Sequence, residues 1–107
     1  MKIAITAAGG SMSAQVEPNF GRCSYFIIYD TDTKKFEPVQ NEAASMTGGA
    51  GPKAAGTIHE KGARILLTGK VGPNAEISLK GFGIEIIPGI SGKVSESLEN
   101  YLKTAGQ

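Results

Sequence analysis

Residues 51–87, GPKAAGTIHEKGARILLTGKVGPNAEISLKGFGIEII, carry the pattern that decides the fold. Gly51-Pro52 opens a helical stretch, because the fixed φ of proline suits a first turn and its missing N–H costs nothing there. A helix is expected over residues 52–61, with Gly62 ending it, and Ala63–Thr68 then reads as a short buried strand. Gly72-Pro73 opens a second helix that Gly81 closes, and Ile84–Ile87 reads as another strand. Helix and strand in alternation are the mark of parallel strands joined by crossovers. Gly51-Pro52-Lys53-Ala54 is echoed 21 residues later by Gly72-Pro73-Asn74-Ala75, either as a weak repeat or as two units that share punctuation.

Upstream the rhythm is different. Lys2–Ala7 reads as a strand with Ile3 and Ile5 on one face and Ala4 on the other, followed by a polar loop, Ala8–Asn19. Tyr25–Tyr29 is a continuous apolar run and reads as a strand buried on both faces. Asp30–Lys35 turns the chain into Phe36–Gln40, which makes a hairpin. Pro38 has no N–H for a ladder, so this third strand belongs at a sheet edge. Downstream, Val94, Leu98, Tyr101 and Leu102 mark the inner face of a last helix starting near Ser91 or Gly92.

The chain has 107 residues, the size of one domain spanning 1–107. Its glycines, 15 in all, recur just before the expected helices and do not form a flexible tract. Eleven Lys and Arg against ten Asp and Glu give a net charge of +1, which argues against a basic footprint for nucleic acid. No apolar run reaches the roughly 18 residues of a membrane span. A single cysteine, Cys23, excludes an internal disulfide and, with no signal peptide after Met1, fits a reducing cytoplasm.

One end of such a sheet should gather the chemistry. If the first, fourth and fifth strands run parallel, their carboxyl ends present Ala7–Met12, Gly69–Gly72 and Gly89–Gly92 together, where open α/β sheets bind ligands. An antiparallel second strand would bring Phe20-Gly21-Arg22-Cys23 to that end, and the loop Asn41–Gly51 returns there. Three helices then start behind the glycines Gly48, Gly49 and Gly51, Gly69 and Gly72, and Gly89 and Gly92. Unpaired N–H groups at helix starts favour anions. Arg22, Lys53, Lys70 and Lys93 would add charge, with Glu17 and Glu42 the only carboxylates in these segments. Cys23, Met12 and Met46 supply soft sulfur donors, and Cys23 is the candidate metal ligand. One thiolate cannot hold a cluster in the four-cysteine manner, so hydrogen bonds and charge would have to do most of it. The plain alternative is that the glycines cap helices, the lysines solvate a surface and Cys23 is a small buried hydrophobe. His59, at position eight of the first helix, sits about 10 Å along the axis from its start and away from the glycine loops.

Phe20-Gly21-Arg22 before the apolar strand, Gly48-Gly-Ala-Gly-Pro52, Gly69-Lys-Val-Gly-Pro73-Asn-Ala75 and Ile90-Ser-Gly92, in this order and over nearly the whole chain, resemble the dinitrogenase iron-molybdenum cofactor biosynthesis family. The resemblance implies a ribonuclease H-like α/β fold, a mixed five-stranded sheet of three antiparallel then two parallel strands flanked by helices. It also implies a non-enzymatic carrier for an anionic metal–sulfur cluster or its precursor, of molybdenum with copper or iron, with a protein partner in cluster delivery. Two other classes compete. A nuclease on this fold needs several carboxylates for two metal ions, whereas the first strand ends in Ala7-Ala8 and Asp30 and Asp32 fall at the far end. A regulatory or protein-interaction module is the other, and Gly-Gly-Ala-Gly-Pro-Lys lacks the Gly-Lys-Ser/Thr of a P-loop.

Overall fold

Odd and even positions of the first strand part company, with Ile3, Ile5 and Ala7 in one apolar cluster and Ala4 in the other, as the period of two requires. In the computed structural model, which describes residues 1–105, the strands are β1 (Lys2–Ala7), β2 (Tyr25–Asp30), β3 (Lys35–Gln40), β4 (Ala63–Leu67) and β5 (Glu85–Ile87). The helices are α1 (Ala50–Glu60), α2 (Pro73–Gly81) and α3 (Val94–Ala105), and two short 3-10 turns span Phe20–Arg22 and Glu42–Ser45. The sheet runs β3-β2-β1-β4-β5, antiparallel across β3, β2 and β1 and parallel across β1, β4 and β5. This is the mixed five-stranded sheet that the sequence implies.

Helices α1 and α2 cover one face of the sheet and α3 the other. Ala54, Ala55 and Ile58 of α1 and Ala75 and Leu79 of α2 join Ala4, Phe26, Ile28 and Leu66 in one core. The alanines let the helices approach the sheet closely. Val94 and Leu98 of α3 join Ile3, Ile5, Ile27 and Leu67 in the other, with Tyr101 and Leu102 packed at its margin. Each fully buried Leu or Ile contributes about 1.5–3 kcal/mol, and both faces of β1 supply such contacts. No helix among the described residues is long and apolar enough to cross a membrane.

Pro38 does lie on an edge strand, opposite Ile27. The Asn41 N–H donates to the Ser24 carbonyl, so hydrogen-bonded pairs fall at alternate positions from there and the Pro38 nitrogen faces outward. The helix starts shift most. Helix α1 starts at Ala50, two residues before the expected place, because Gly49 at φ +73 makes the left-handed turn into it. Pro52 is tolerated inside the first turn, where N–H groups have no helical partner. Helix α3 begins only at Val94, after the expected Ser91 or Gly92, and Phe20–Arg22, ahead of β2, forms a 3-10 turn.

A strap of chain closes the crevice expected at the carboxyl ends of β1 and β4. Their pairing stops at Ile5 and Leu67. Beyond it Ala7 pairs with Val16, and Asn19 with Lys70. The Glu17 N–H donates to Thr6 O, Lys70 N–H to Pro18 O and Phe20 N–H to Lys70 O, at 3.0, 2.7 and 3.2 Å. Thr6 Oγ1 donates to Glu17 O at 2.7 Å and lies 3.1 Å from Thr68 Oγ1. Residues 16–20 are thus wedged between the two strand ends.

Candidate anion cleft

With that crevice filled, one concavity at this end of the sheet lies to one side, where the 3-10 turn Phe20–Arg22 meets the starts of α1 and α2. It has a volume of about 250 Å³ and is lined by Gly21, Arg22, residues 49–52 and residues 72–75. No carboxylate lines it. In α1 the Lys53 N–H donates to Gly49 O, and in α2 the Glu76 N–H donates to Gly72 O. The preceding N–H groups of Ala50 and Gly51, and of Asn74 and Ala75, have no partner among the described residues, while Pro52 and Pro73 have no N–H at all. Two helix starts therefore turn four unpaired donors toward one small space. A larger concavity, about 750 Å³, sits at the opposite end among Lys2, Asp30, Asp32, Arg64 and Glu85. Its mixed charges offset one another, and no helix starts there.

Arg22 is anchored as well as charged. Its Nη1 donates to Ala44 O at 3.1 Å and to Met46 O at 2.5 Å, which leaves Nε and Nη2 without a protein partner among the described residues. Arg22, Lys53, Lys70 and Lys93 have no ion pair among the described residues, whereas Lys61 and Lys80 each pair with a glutamate. Asn41 organises the floor behind Arg22. Its Nδ2 donates to Gly21 O at 3.2 Å and to Cys23 O at 2.8 Å, and its Oδ1 accepts from the Ala43 N–H at 3.1 Å.

Cys23 lies beneath the cleft with no exposed surface. Its thiol donates to Phe20 O at 3.2 Å. Burial pushes its ionisation up to about 12, partly offset by hydrogen bonds from the Ala7 backbone and the Asn41 side chain. A protonated thiol inside the core is a poor metal ligand, so the setting works against the ligand role expected for Cys23. Among the described residues no three His, Cys, Asp or Glu side chains gather as a metal-ion site.

The other expected residues divide. Gly49, Gly51 and Gly72 line the cleft with Arg22. Gly48 stands in open space nearby, and Met46 lies beside Gly49, 37% exposed. Lys53 is exposed in the first turn of α1, and exposed Lys70 is fixed by its backbone to the strap; neither lines the cleft. Met12, Gly92 and Lys93 belong elsewhere. Met12 is partly buried and packs against the core on the α3 side of the sheet, and the Val94 and Ser95 N–H groups donate to Ala14 O and Met12 O. The expected meeting of three free helix starts is therefore corrected to two, because α3 lies on the opposite face and the Ala14 and Met12 carbonyls satisfy its first donors. His59 is exposed near the end of α1 and stacks on Phe82 with ring centroids 4.1 Å apart. Asn74 and Ala75 were read from sequence only as motif positions and Asn41 only as the start of a loop, none as a site residue, although Asn41 before Glu-Ala-Ala is a recognisable cap.

A mixed sheet with helices on both faces and a glycine-lined cleft at two helix starts defines a small α/β domain. The family model "Dinitrogenase iron-molybdenum cofactor" matches residues 1–104, and the chain belongs to this family. Its fold is similar to that of the apo form of the orange protein from Desulfovibrio gigas, with 36% identity, a TM-score of 0.92 and coverage of 96% of this chain and 88% of that one. A protein from Thermotoga solved by NMR is 34% identical, with a TM-score of 0.85 and coverage of 95% and 87%. An uncharacterized protein of Methanocaldococcus jannaschii is 27% identical over 106 residues, covering 96% of this chain and 86% of the relative.

Proposed function

We propose that the chain binds and hands on an anionic metal–sulfur cluster or its precursor, of molybdenum with copper or iron, and performs no catalysis on it. The observation that carries this reading is the convergence of four unpaired N–H groups and the Arg22 guanidinium on a cleft without carboxylates. Such a site favours a compact anion and disfavours a bare divalent cation, which needs oxygen ligands of negative charge. Sulfide edges would accept hydrogen bonds from Ala50, Gly51, Asn74 and Ala75. Free N–H groups of Arg22 would bridge two acceptors at once. Cys23 stays a core thiol, so the cargo is held by hydrogen bonds and charge, in keeping with transient loading. A cytoplasmic location, where sulfide is kept reduced, and an acceptor protein that takes the cargo complete the proposal.

Anaerobic titration with tetrathiomolybdate, with and without copper(I), tests it by absorption and metal analysis. Saturable binding that weakens as salt rises is expected, since exposed charge is screened over about 8 Å at physiological ionic strength. A parent protein that binds no such anion would overturn it. The second reading, a non-catalytic interaction module, draws on Ile77, 71% exposed, and Phe82, 40% exposed, on the α2 side; a colourless protein with a stable protein partner would favour it.

A further inference from the structure

We infer that Asn41 is a positioning residue for the anion cleft, because its carboxamide holds the backbone on both sides of Arg22 and so sets where the guanidinium stands. The two carbonyls that Nδ2 reaches, Gly21 O and Cys23 O, are those immediately before and after Arg22. The Asn41 side chain is 4% exposed, and its oxygen is also used, by the Ala43 N–H. Its backbone joins in, the N–H donating to Ser24 O at 2.9 Å and the carbonyl accepting from the Ala44 N–H at 3.3 Å. Arg22 closes the circuit by donating to Ala44 O and Met46 O, on the turn that Asn41 caps. Each residue thus braces the segment that carries the other.

The chemistry is specific to a carboxamide. At this length only asparagine offers two donors and an acceptor from one terminal group. Aspartate keeps the acceptor and loses both donors. Serine can still cap the Ala43 N–H but cannot hold two carbonyls. If Asn41 were no more than a cap, serine would replace it with little consequence for the cleft. If it positions Arg22, serine should cost anion binding through Arg22 alone.

This inference rests on the reading of the cleft as an anion site, and a double-mutant cycle on the full chain separates the two. Tetrathiomolybdate binding and thermal unfolding are measured for the parent, Asn41→Ser, Arg22→Ala and the double variant, together with NMR exchange of the Arg22 guanidinium N–H. N41S should weaken binding roughly tenfold in the parent and not further in the R22A background, as coupled residues do, and it should release the slowed exchange at Arg22. Equal weakening in both backgrounds, or none in either, would make Asn41 a structural cap and overturn the inference. Should the parent bind no thiomolybdate, the function proposed above falls, and the exchange result alone decides Asn41, with unchanged protection in N41S overturning its role. Should N41S fail to fold, N41D takes its place with the same outcomes.

Discussion

Gly51 and Ala75 meet more closely than any other residue at position 51 would allow, since a methyl group added to Gly51 would lie 2.7 Å from the Ala75 Cβ. Gly21 presses on the same spot, its own Cβ position lying 3.2 Å from the Gly51 nitrogen. This contact draws the starts of α1 and α2 together into one cleft. Gly51→Ala should therefore cost about 1–3 kcal/mol by overpacking, seen as a lower denaturant midpoint, and should weaken anion binding as the helix starts splay. Unchanged stability would show that the contact is slack.

Gly72 makes the opposite case. Its backbone is extended, φ −73 and ψ 166, and a Cβ there meets nothing within 4 Å. Gly72→Ser should leave stability unchanged or raise it by a few tenths of a kcal/mol, because serine caps helices as well as glycine or better. Its hydroxyl would, however, take up an N–H of Asn74 or Ala75 that the proposed cargo needs. Thermal unfolding and thiomolybdate titration should move independently, with binding reduced severalfold; undiminished binding would remove α2 from the site.

Arg22→Ala should weaken anion binding more than Cys23→Ser and should flatten its salt dependence. Arg22 lines the cleft, whereas Cys23 is fully buried. Titrations of both variants at low and high salt give the order. The reverse order would point to thiolate ligation, with Cys23 brought out of the core.

The Cys23 thiol should react slowly with disulfide reagents in the native protein and promptly after denaturation. Its folded ionisation lies near 12, against roughly 8.5 for an unperturbed thiol. The protonated form is thus favoured by folding. Its contribution is intact below about pH 8.5 and declines as pH rises toward the folded value, by up to about 1.4 kcal/mol per pH unit. Alkaline denaturation curves should be shallower for Cys23→Ala than for the parent across that window; parallel curves would contradict the shift.

His59→Gln should leave anion binding within a few-fold. The substitution removes the stack on Phe82, whose planes lie 8° from parallel, and should cost about 0.5–1.5 kcal/mol of stability. Calorimetric unfolding and a thiomolybdate titration check the pair of outcomes. A tenfold loss of affinity, about 1.4 kcal/mol, would place the histidine in the binding machinery.

Strand number and direction were legible because they rest on patterns that survive in one dimension. The Gly-Pro openings, the apolar strand at Tyr25 and the proline in β3 each name an element and its neighbours. They also brought Arg22 and the glycines 49, 51 and 72 to one place. Less legible was anything decided by the route of an irregular segment. Residues 8–19 show no period, so the wedge that starts at Val16 between the ends of β1 and β4, and the claim of Met12 and Ala14 on the first N–H groups of α3, had no signature in the sequence. Met12 and Gly92 were placed with the cleft for that reason. The Cys23 carbonyl is held by Asn41, eighteen positions away, and such pairings leave no local trace.

The strap over the ends of β1 and β4 has a consequence for exchange kinetics. A deep chamber at the switch point would need a hinge, and cargo release would be timed by its opening. Here that chamber is stitched shut by several backbone hydrogen bonds, and the shallow cleft lies outside the seam. The residence time of a bound anion is then governed by its own contacts, and an acceptor that docks against the exposed rim can compete for it directly without first unfolding any part of the donor.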